Sequence, residues 1–289
     1  MKPNLECGPC LLKWVYDRAG IMVGEEKRFE LIRNILSVLS REFCSTGNVG
    51  WLSNRIMNSI HEFVIDSARY FEGVKLQSNK VAEELLPLAR NFIEEGQTDR
   101  ERFERACGLS AGTNVAPIGL PSEGFKFEEA LNMMMQRNPL PAVIGNLFKA
   151  VRGATHILYI ADNAGEIGFD SLFIARLKEM GLNITLVVKE DPFFEDATTR
   201  DVSFFKLDQL VDNILTTNGY FIPNETTPSL SDSFKKSDLV IAKGTGSYEA
   251  LKDERNGKTI IYLLKVKCKP IAMRIGVNTG NFVVKLEMA

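Results

Sequence analysis

Apolar residues in the first half of the chain recur at helical spacing. Phe29, Ile32, Ile35, Leu36 and Leu39 form one such stripe, and Val81, Leu85, Leu88, Ala89, Phe92 and Ile93 form another. The segments near 51–66 and 126–136 have the same texture, separated by polar or glycine-containing breaks, and no repeat of fixed period appears. From about residue 153 the pattern changes. Short β-rich runs at His156–Ala161, Asn183–Lys189, Asn213–Thr217, Asp238–Ala242, Thr259–Leu264 and Phe282–Lys285 alternate with helical intervals such as 167–180, 200–211 and 246–254. Alternation of this kind predicts a mainly parallel sheet covered on both faces. The expected architecture is an all-α helical domain over residues 1–150, followed by a three-layer, Rossmann-like α/β domain over 151–289. The boundary falls at Pro139-Leu140-Pro141 or just after it, and a junction of this type favours a cleft.

With 289 residues, 45% of them hydrophobic, the chain can bury a substantial core. Lys+Arg 35 against Asp+Glu 37 leaves a formal charge of −2, so no global basic field points to nucleic acid. Any anion must be held by a local site. The N-terminal residues lack the apolar stretch of a signal peptide, and no run of about 18 apolar residues suggests a membrane span. A soluble, cytoplasmic protein with reduced thiols is expected, since five cysteines in a chain this long do not make a disulfide scaffold.

Three predicted strand ends carry candidate chemistry. The first reads Ala161-Asp162-Asn163-Ala164-Gly165-Glu166. Adjacent carboxylate and carboxamide oxygens suit Mg²⁺ or Mn²⁺, although Asn163 would also serve as a plain helix cap. Glu166, one residue past the turn, is a candidate general acid or base, or simply an acid favoured by a helix N-terminus. The second leads through Pro192-Phe193-Phe194-Glu195 to Asp196, which either caps the next helix or adds a third oxygen donor. The third is Lys243-Gly244-Thr245-Gly246-Ser247, in which small residues let backbone N–H groups approach an anion and Lys243 supplies charge. Lys267, after the next strand, offers a second cation.

Cys7-Gly8-Pro9-Cys10 precedes a helical run, which leaves redox, metal-binding and structural roles open. A metal site there would need Cys44, Cys107, Cys268 or His61 as partner. The pair's position in the helical half predicts a place away from the strand-end residues, and therefore no part in the chemical step. His61 and His156 read as structural.

The ordered set of Asp162-Asn163-Ala164-Gly165-Glu166, Phe194-Glu195-Asp196-Ala197-Thr198, Asp238 through Glu249 and Leu264 through Ala272 resembles the damage-control phosphatase family. Cys7-Gly8-Pro9-Cys10 is similar to the CxxC of its largely prokaryotic branch. Ser247 departs from the asparagine often found there, and Gly112-Thr113-Asn114-Val115 matches only loosely. The resemblance implies a divalent-metal-dependent phosphatase acting on small phosphorylated metabolites such as sugar phosphates. Asp162, Asn163 and Asp196 would hold Mn²⁺, Ni²⁺, Mg²⁺ or Co²⁺, and Lys243 with the backbone of Gly244, Thr245 and Gly246 would hold the phosphoryl oxygens. Attack by water and attack by Asp162 itself both remain open. Two other classes stay alive on the residues alone. One is a methyltransferase or nucleotide-binding enzyme, suggested by Gly165-Glu166-Ile167-Gly168, and the other is a non-catalytic metabolite-binding module.

Overall fold

Ile157, Leu158, Tyr159 and Ile160 are all buried, so this run is covered from both sides and lies inside a sheet rather than at its surface. The computed structural model of the protein describes residues 1–21, 23–117, 125–136 and 142–289. Six helices come first: α1 (Cys7–Ala19), α2 (Glu25–Glu42), α3 (Val49–Ser59), α4 (His61–Glu94), α5 (Asp99–Gly112) and α6 (Phe127–Met135). Strands and helices then alternate: β1 (Ala142–Ile144), α7 (Leu147–Arg152), β2 (His156–Ile160), α8 (Glu166–Glu179), β3 (Asn183–Lys189), α9 (Thr199–Phe204) and β4 (Asn213–Thr217). The chain continues through α10 (Pro228–Lys236), β5 (Leu239–Lys243), α11 (Gly244–Leu251), β6 (Thr259–Lys265), α12 (Lys269–Ile275) and β7 (Phe282–Glu287).

The strands form one sheet in the order β1-β7-β6-β5-β2-β3-β4. All neighbours pair in parallel except β6 and β7. The six strands read from the sequence are present, with ends shifted by at most two residues, and the sheet is mainly parallel as expected. β1 is a seventh strand that the sequence reading did not separate from the helical half. The boundary expected at Pro139-Leu140-Pro141 lies outside the described residues.

Side chains alternate across the sheet with period two. Leu158, Ile160, Val240, Ala242 and Tyr262 pack with Val15, Ile35, Ile56 and Phe71 on one face. Ile157, Tyr159, Ile241 and Ile261 pack with Phe103, Leu109, Phe127 and Phe173 on the other. The early helices therefore complete both outer layers. The 34-residue helix α4 takes part in each core, through Phe63, Val64 and Phe71 on one side and Ala82, Ala89 and Phe92 on the other. Among the described residues no helix is long and apolar enough to cross a membrane.

This topology positions the site. From β2 the chain winds outward through β3 to β4, then returns to β5 on the opposite side of β2. The C-terminal ends of β2 and β5 thus flank the point where strand order reverses, the place where open α/β sheets hold ligands.

Candidate active site

Asp162 and Asn163 leave the end of β2, and Gly244 leaves the end of β5 beside them. Gly244 has φ +81, and a Cβ there would overlap the Asp162 carboxylate. Only glycine permits both that backbone and that approach. Gly244→Ala is expected to displace Asp162 and weaken divalent-cation binding at least about tenfold, the scale for disturbing a group that orients a ligand. Gly257→Ala is the control, because Gly257 has φ +74 but open space around it. Calorimetric titration of both variants with Mn²⁺ checks this; equal affinities would mean that the Gly244 approach does not set the Asp162 position.

A loop after β3 brings in Asp196. Phe194 adopts a left-handed φ of 51, held by Trp14 and Phe71 at ring distances of 5.5 and 5.2 Å. The bend returns the chain to β2: Ala164 N donates to Glu195 O (3.0 Å) and Ala197 N to Asp162 O (2.8 Å). Asn163 and Asp196 are bridged as backbone neighbours. Asp162, Asn163 and Asp196 consequently line one cavity of about 200 Å³, together with Thr245, Gly246 and Lys267. Walls from the helical half supply Leu11, Trp14 and Arg18.

The polar groups behind this wall fix its orientation. Asn114 Nδ2 donates to Asp162 Oδ2 (2.8 Å) and to Glu166 Oε2 (2.7 Å), while its Oδ1 accepts from Lys265 N (3.0 Å). Asn163 Nδ2 donates to Asp162 Oδ2 (2.8 Å) and Glu166 Oε1 (3.0 Å), which leaves its carbonyl oxygen as the atom available to a ligand. Lys189, buried under Phe193 and Tyr220, donates to Gly219 O (2.8 Å) and lies 3.4 Å from Asp196 Oδ2. Arg18 forms a buried pair with Glu195 at 2.5 Å.

Three acids are crowded here. Burial pushes Asp196 up to about 8, with the charges of Asp162 and Glu195 adding to it and Lys189 opposing. Burial and the Asp162 charge push Glu166 up to about 7. Burial also raises Asp162, against the pull of Lys267 and the Asn114 hydrogen bond. Asp196 Oδ2 is buried without a hydrogen-bond partner among the described residues. The Lys189 ammonium, 3.4 Å away, is the cation that offsets part of the repulsion from Asp162 and Glu195.

Two predicted roles need correction. Lys243 does not line the cavity: its Nζ, fully buried, donates to Asp170 Oδ1 (2.8 Å) and to the Ser110 carbonyl on α5. The strand pleat sends this side chain inward while the next residue, Gly244, faces the cleft. Glu166 is likewise enclosed, holding Asn114, Asn163 and Ala116 N (3.3 Å) rather than facing the cavity. Lys267 is the predicted cation that does line it.

Cys7 and Cys10 also line this cavity, so the expectation that distance in sequence removes them from the strand ends fails. The Gly165 turn is filled from within: its N–H meets Asn79 Oδ1 (2.6 Å), and a Cβ would lie 2.8 Å from Phe127. That leaves no room for a pyrophosphate over Gly165-Glu166-Ile167-Gly168. Lys189 and Arg18 were not singled out in the sequence, and Asn114 and Glu195 appeared there only inside segments compared with the family, without a role. Arg18 gave a signal of its own, as a charged residue on the Leu11, Val15, Ala19 face of α1.

The family model for the damage-control phosphatase ARMT1-like domain matches residues 4–283. A damage-control phosphatase of Archaeoglobus fulgidus is 32% identical over 294 residues, covering 99% of each chain. The damage-control phosphatase PH1575 of Pyrococcus horikoshii is 27% identical, covering 98% of this chain and 97% of its own. The crystal structure of that DUF89 family protein superposes with a TM-score of 0.81 at 25% identity over 99% of both chains. The chain therefore belongs to the ARMT1-like damage-control phosphatase family.

Proposed function

We propose that this protein is a divalent-metal-dependent phosphatase that hydrolyses phosphomonoesters of small metabolites, with Asp162, Asn163 and Asp196 as the cation's ligands. The observation that carries the reading is that Asp196, with a buried Oδ2 whose one charged contact among the described residues is Lys189 at 3.4 Å, lines the same cavity as Asp162 and Asn163. Two carboxylates and a carboxamide are a hard-oxygen set suited to Mg²⁺, Mn²⁺, Co²⁺ or Ni²⁺. A cation held there would supply Lewis-acid polarisation of the phosphoryl group.

The chain's own residues do the rest. Lys267 balances charge that builds on the phosphoryl oxygens, and the backbone N–H groups of Thr245 and Gly246, at the start of α11, add to it. Glu166 and Asn114 keep Asn163 and Asp162 turned toward the cavity and touch no substrate. Trp14 and Leu11 give the cavity an apolar wall, which lowers the local water content and strengthens these interactions. A cavity of about 200 Å³ suits a phosphorylated metabolite of few carbons rather than a large ligand.

Phosphate release from p-nitrophenyl phosphate by chelator-treated protein, before and after each cation is restored, tests the proposal. Turnover is expected only with metal. Equal release in the presence of excess chelator removes the metal from the reaction, and no release with any cation or ester favours the binding-module reading.

A further inference from the structure

The protein itself meets most acids of the cavity wall. Asp162 accepts from Asn114 and Asn163, Asp196 lies beside Lys189, and Glu195 is paired with Arg18. Glu249, half-buried, lines the same cavity from α11, yet its carboxylate has no hydrogen-bond or ion-pair partner among the described residues. Glu6 also lines the cavity but is exposed, where water serves its oxygens. Burial pushes Glu249 up to about 7, with the Met1 amino group and Lys267 drawing it down. An ionised carboxylate only accepts hydrogen bonds, and this one is drawn out of bulk water with no protein donor. Such an arrangement costs free energy until a ligand supplies the donor.

The position of Glu249 says which part of a ligand reaches it. Glu249 stands four residues after Thr245, so both fall on one face of α11, about 6 Å apart along its axis. Thr245 and Gly246 open the helix, where free N–H groups suit a phosphoryl group. Glu249 therefore faces the part of the ester away from its phosphate. The surroundings select the donor. Lys267 and the Met1 amino group already offset the charge, so a neutral donor completes the balance better than a further cation. Cys7, Cys10 and Cys268 are each pushed up by burial and by the charge of Glu249, so they stay as neutral thiols. Thiols are weak donors and do not satisfy a carboxylate. Leu11, Trp14 and Ile271 supply apolar wall nearby. A carbon chain bearing hydroxyls matches this mixture, with O–H groups toward Glu249 and C–H groups toward the apolar wall.

We propose that Glu249 is a specificity-determining residue of this cavity, accepting hydrogen bonds from hydroxyl groups on the carbon skeleton of the ester. The protein then selects phosphorylated polyols over esters with a bare hydrocarbon chain, and turns away esters with a second anionic group at that end. The proposal rests on the phosphatase reading for where the phosphate lies, and adds the side chain that chooses the alcohol. Discrimination follows from the cost on the protein side: an ester without hydroxyls leaves the carboxylate desolvated and without a donor. A second carboxylate on the ligand meets Glu249 as a like charge, which is selection by repulsion.

The test compares glycerol 3-phosphate, propyl phosphate and 3-phosphoglycerate on full-length, Mn²⁺-loaded wild type, Glu249→Gln and Glu249→Leu, by calorimetric titration and by phosphate release. Wild type should bind glycerol 3-phosphate at least about tenfold more tightly than propyl phosphate, the scale of hydrogen bonds to a charged group. It should also prefer glycerol 3-phosphate to 3-phosphoglycerate. Glu249→Leu should bring glycerol 3-phosphate and propyl phosphate to nearly equal affinity. Glu249→Gln keeps the shape without the charge, so it should bind 3-phosphoglycerate more tightly than wild type does. It carries the test should the leucine variant fold poorly. Titration reads the preference without turnover, so the two readings fail separately. No phosphate release from any ester, with the affinity preference present in wild type and lost in Glu249→Leu, removes the phosphatase and keeps the hydroxyl contact. Equal wild-type affinity for glycerol 3-phosphate and propyl phosphate, or an unchanged preference in either folded variant, overturns the proposal.

Discussion

Asp162→Ala is expected to lower kcat/KM for phosphate-ester hydrolysis at least about a thousandfold, the upper end of what one strong electrostatic group in a water-poor site contributes. The carboxylate is fixed on three sides, by Asn114, by Asn163 and by the close approach of Gly244, so no neighbouring group can take its position. Stability should move the other way or not at all. The Asp162 charge is one of the causes that raise both Glu166 and Asp196, so its removal relieves repulsion among buried acids. Activity lost with an unchanged or higher Tm is the pattern of a functional site that opposes stability. A variant within tenfold of wild type, still folded and still metal-dependent, would mean that the chemistry lies elsewhere.

The sheet was largely legible because its strands obey local rules. Ile157 to Ile160 and Leu239 to Ala242 are unbroken apolar runs, which only a doubly covered parallel strand accommodates. β1 was not legible: it has three residues, too few for a period to register, and it is defined by pairing with β7 at the far end of the sequence. The early helices could be read as helices but not assigned to layers. Which face of the sheet each one covers depends on the path of α4 past both cores, and no local pattern encodes that path.

At the site, residues carried on the strand ends were readable, and residues that reach it from elsewhere were not. Asp162, Asn163 and Gly244 stand where an apolar run stops. Asn114 lies just past the end of α5 and meets Asp162 and Glu166 only through the fold. The same long-range packing carried Cys7 and Cys10 to the cavity, against an expectation built on chain distance. Lys243 failed for a more local reason. A lysine beside a glycine-rich turn suggests anion binding, yet the pleat alternates direction at every residue. A one-residue difference in direction separates a side chain in the cleft from one in the core.

That reversal leads to opposite outcomes for two lysines. Lys243→Met should destabilise the protein by about 3–5 kcal/mol, because it leaves the Asp170 carboxylate buried without its cation. Both partners are fully buried, and Asp170 Oδ2 already lacks a hydrogen-bond partner among the described residues, so Ser110 Oγ at 2.6 Å from Oδ1 cannot compensate for the loss. Replacing the pair together, Lys243→Met with Asp170→Leu, should recover much of that stability, since apolar groups of similar volume remove the charge instead of stranding it. Lys267→Ala should behave differently. Lys267 is half-buried and open to the cavity, so stability should stay within about 0.5 kcal/mol. Its kcat/KM should nevertheless fall by roughly a hundredfold, the scale for losing one charge that acts on the transition state. Urea denaturation and steady-state kinetics on all three variants separate the roles. A stable but inactive Lys243→Met beside a fully active Lys267→Ala would return the phosphate contact to Lys243, and would require its ammonium to leave Asp170 and turn into the cleft when substrate binds.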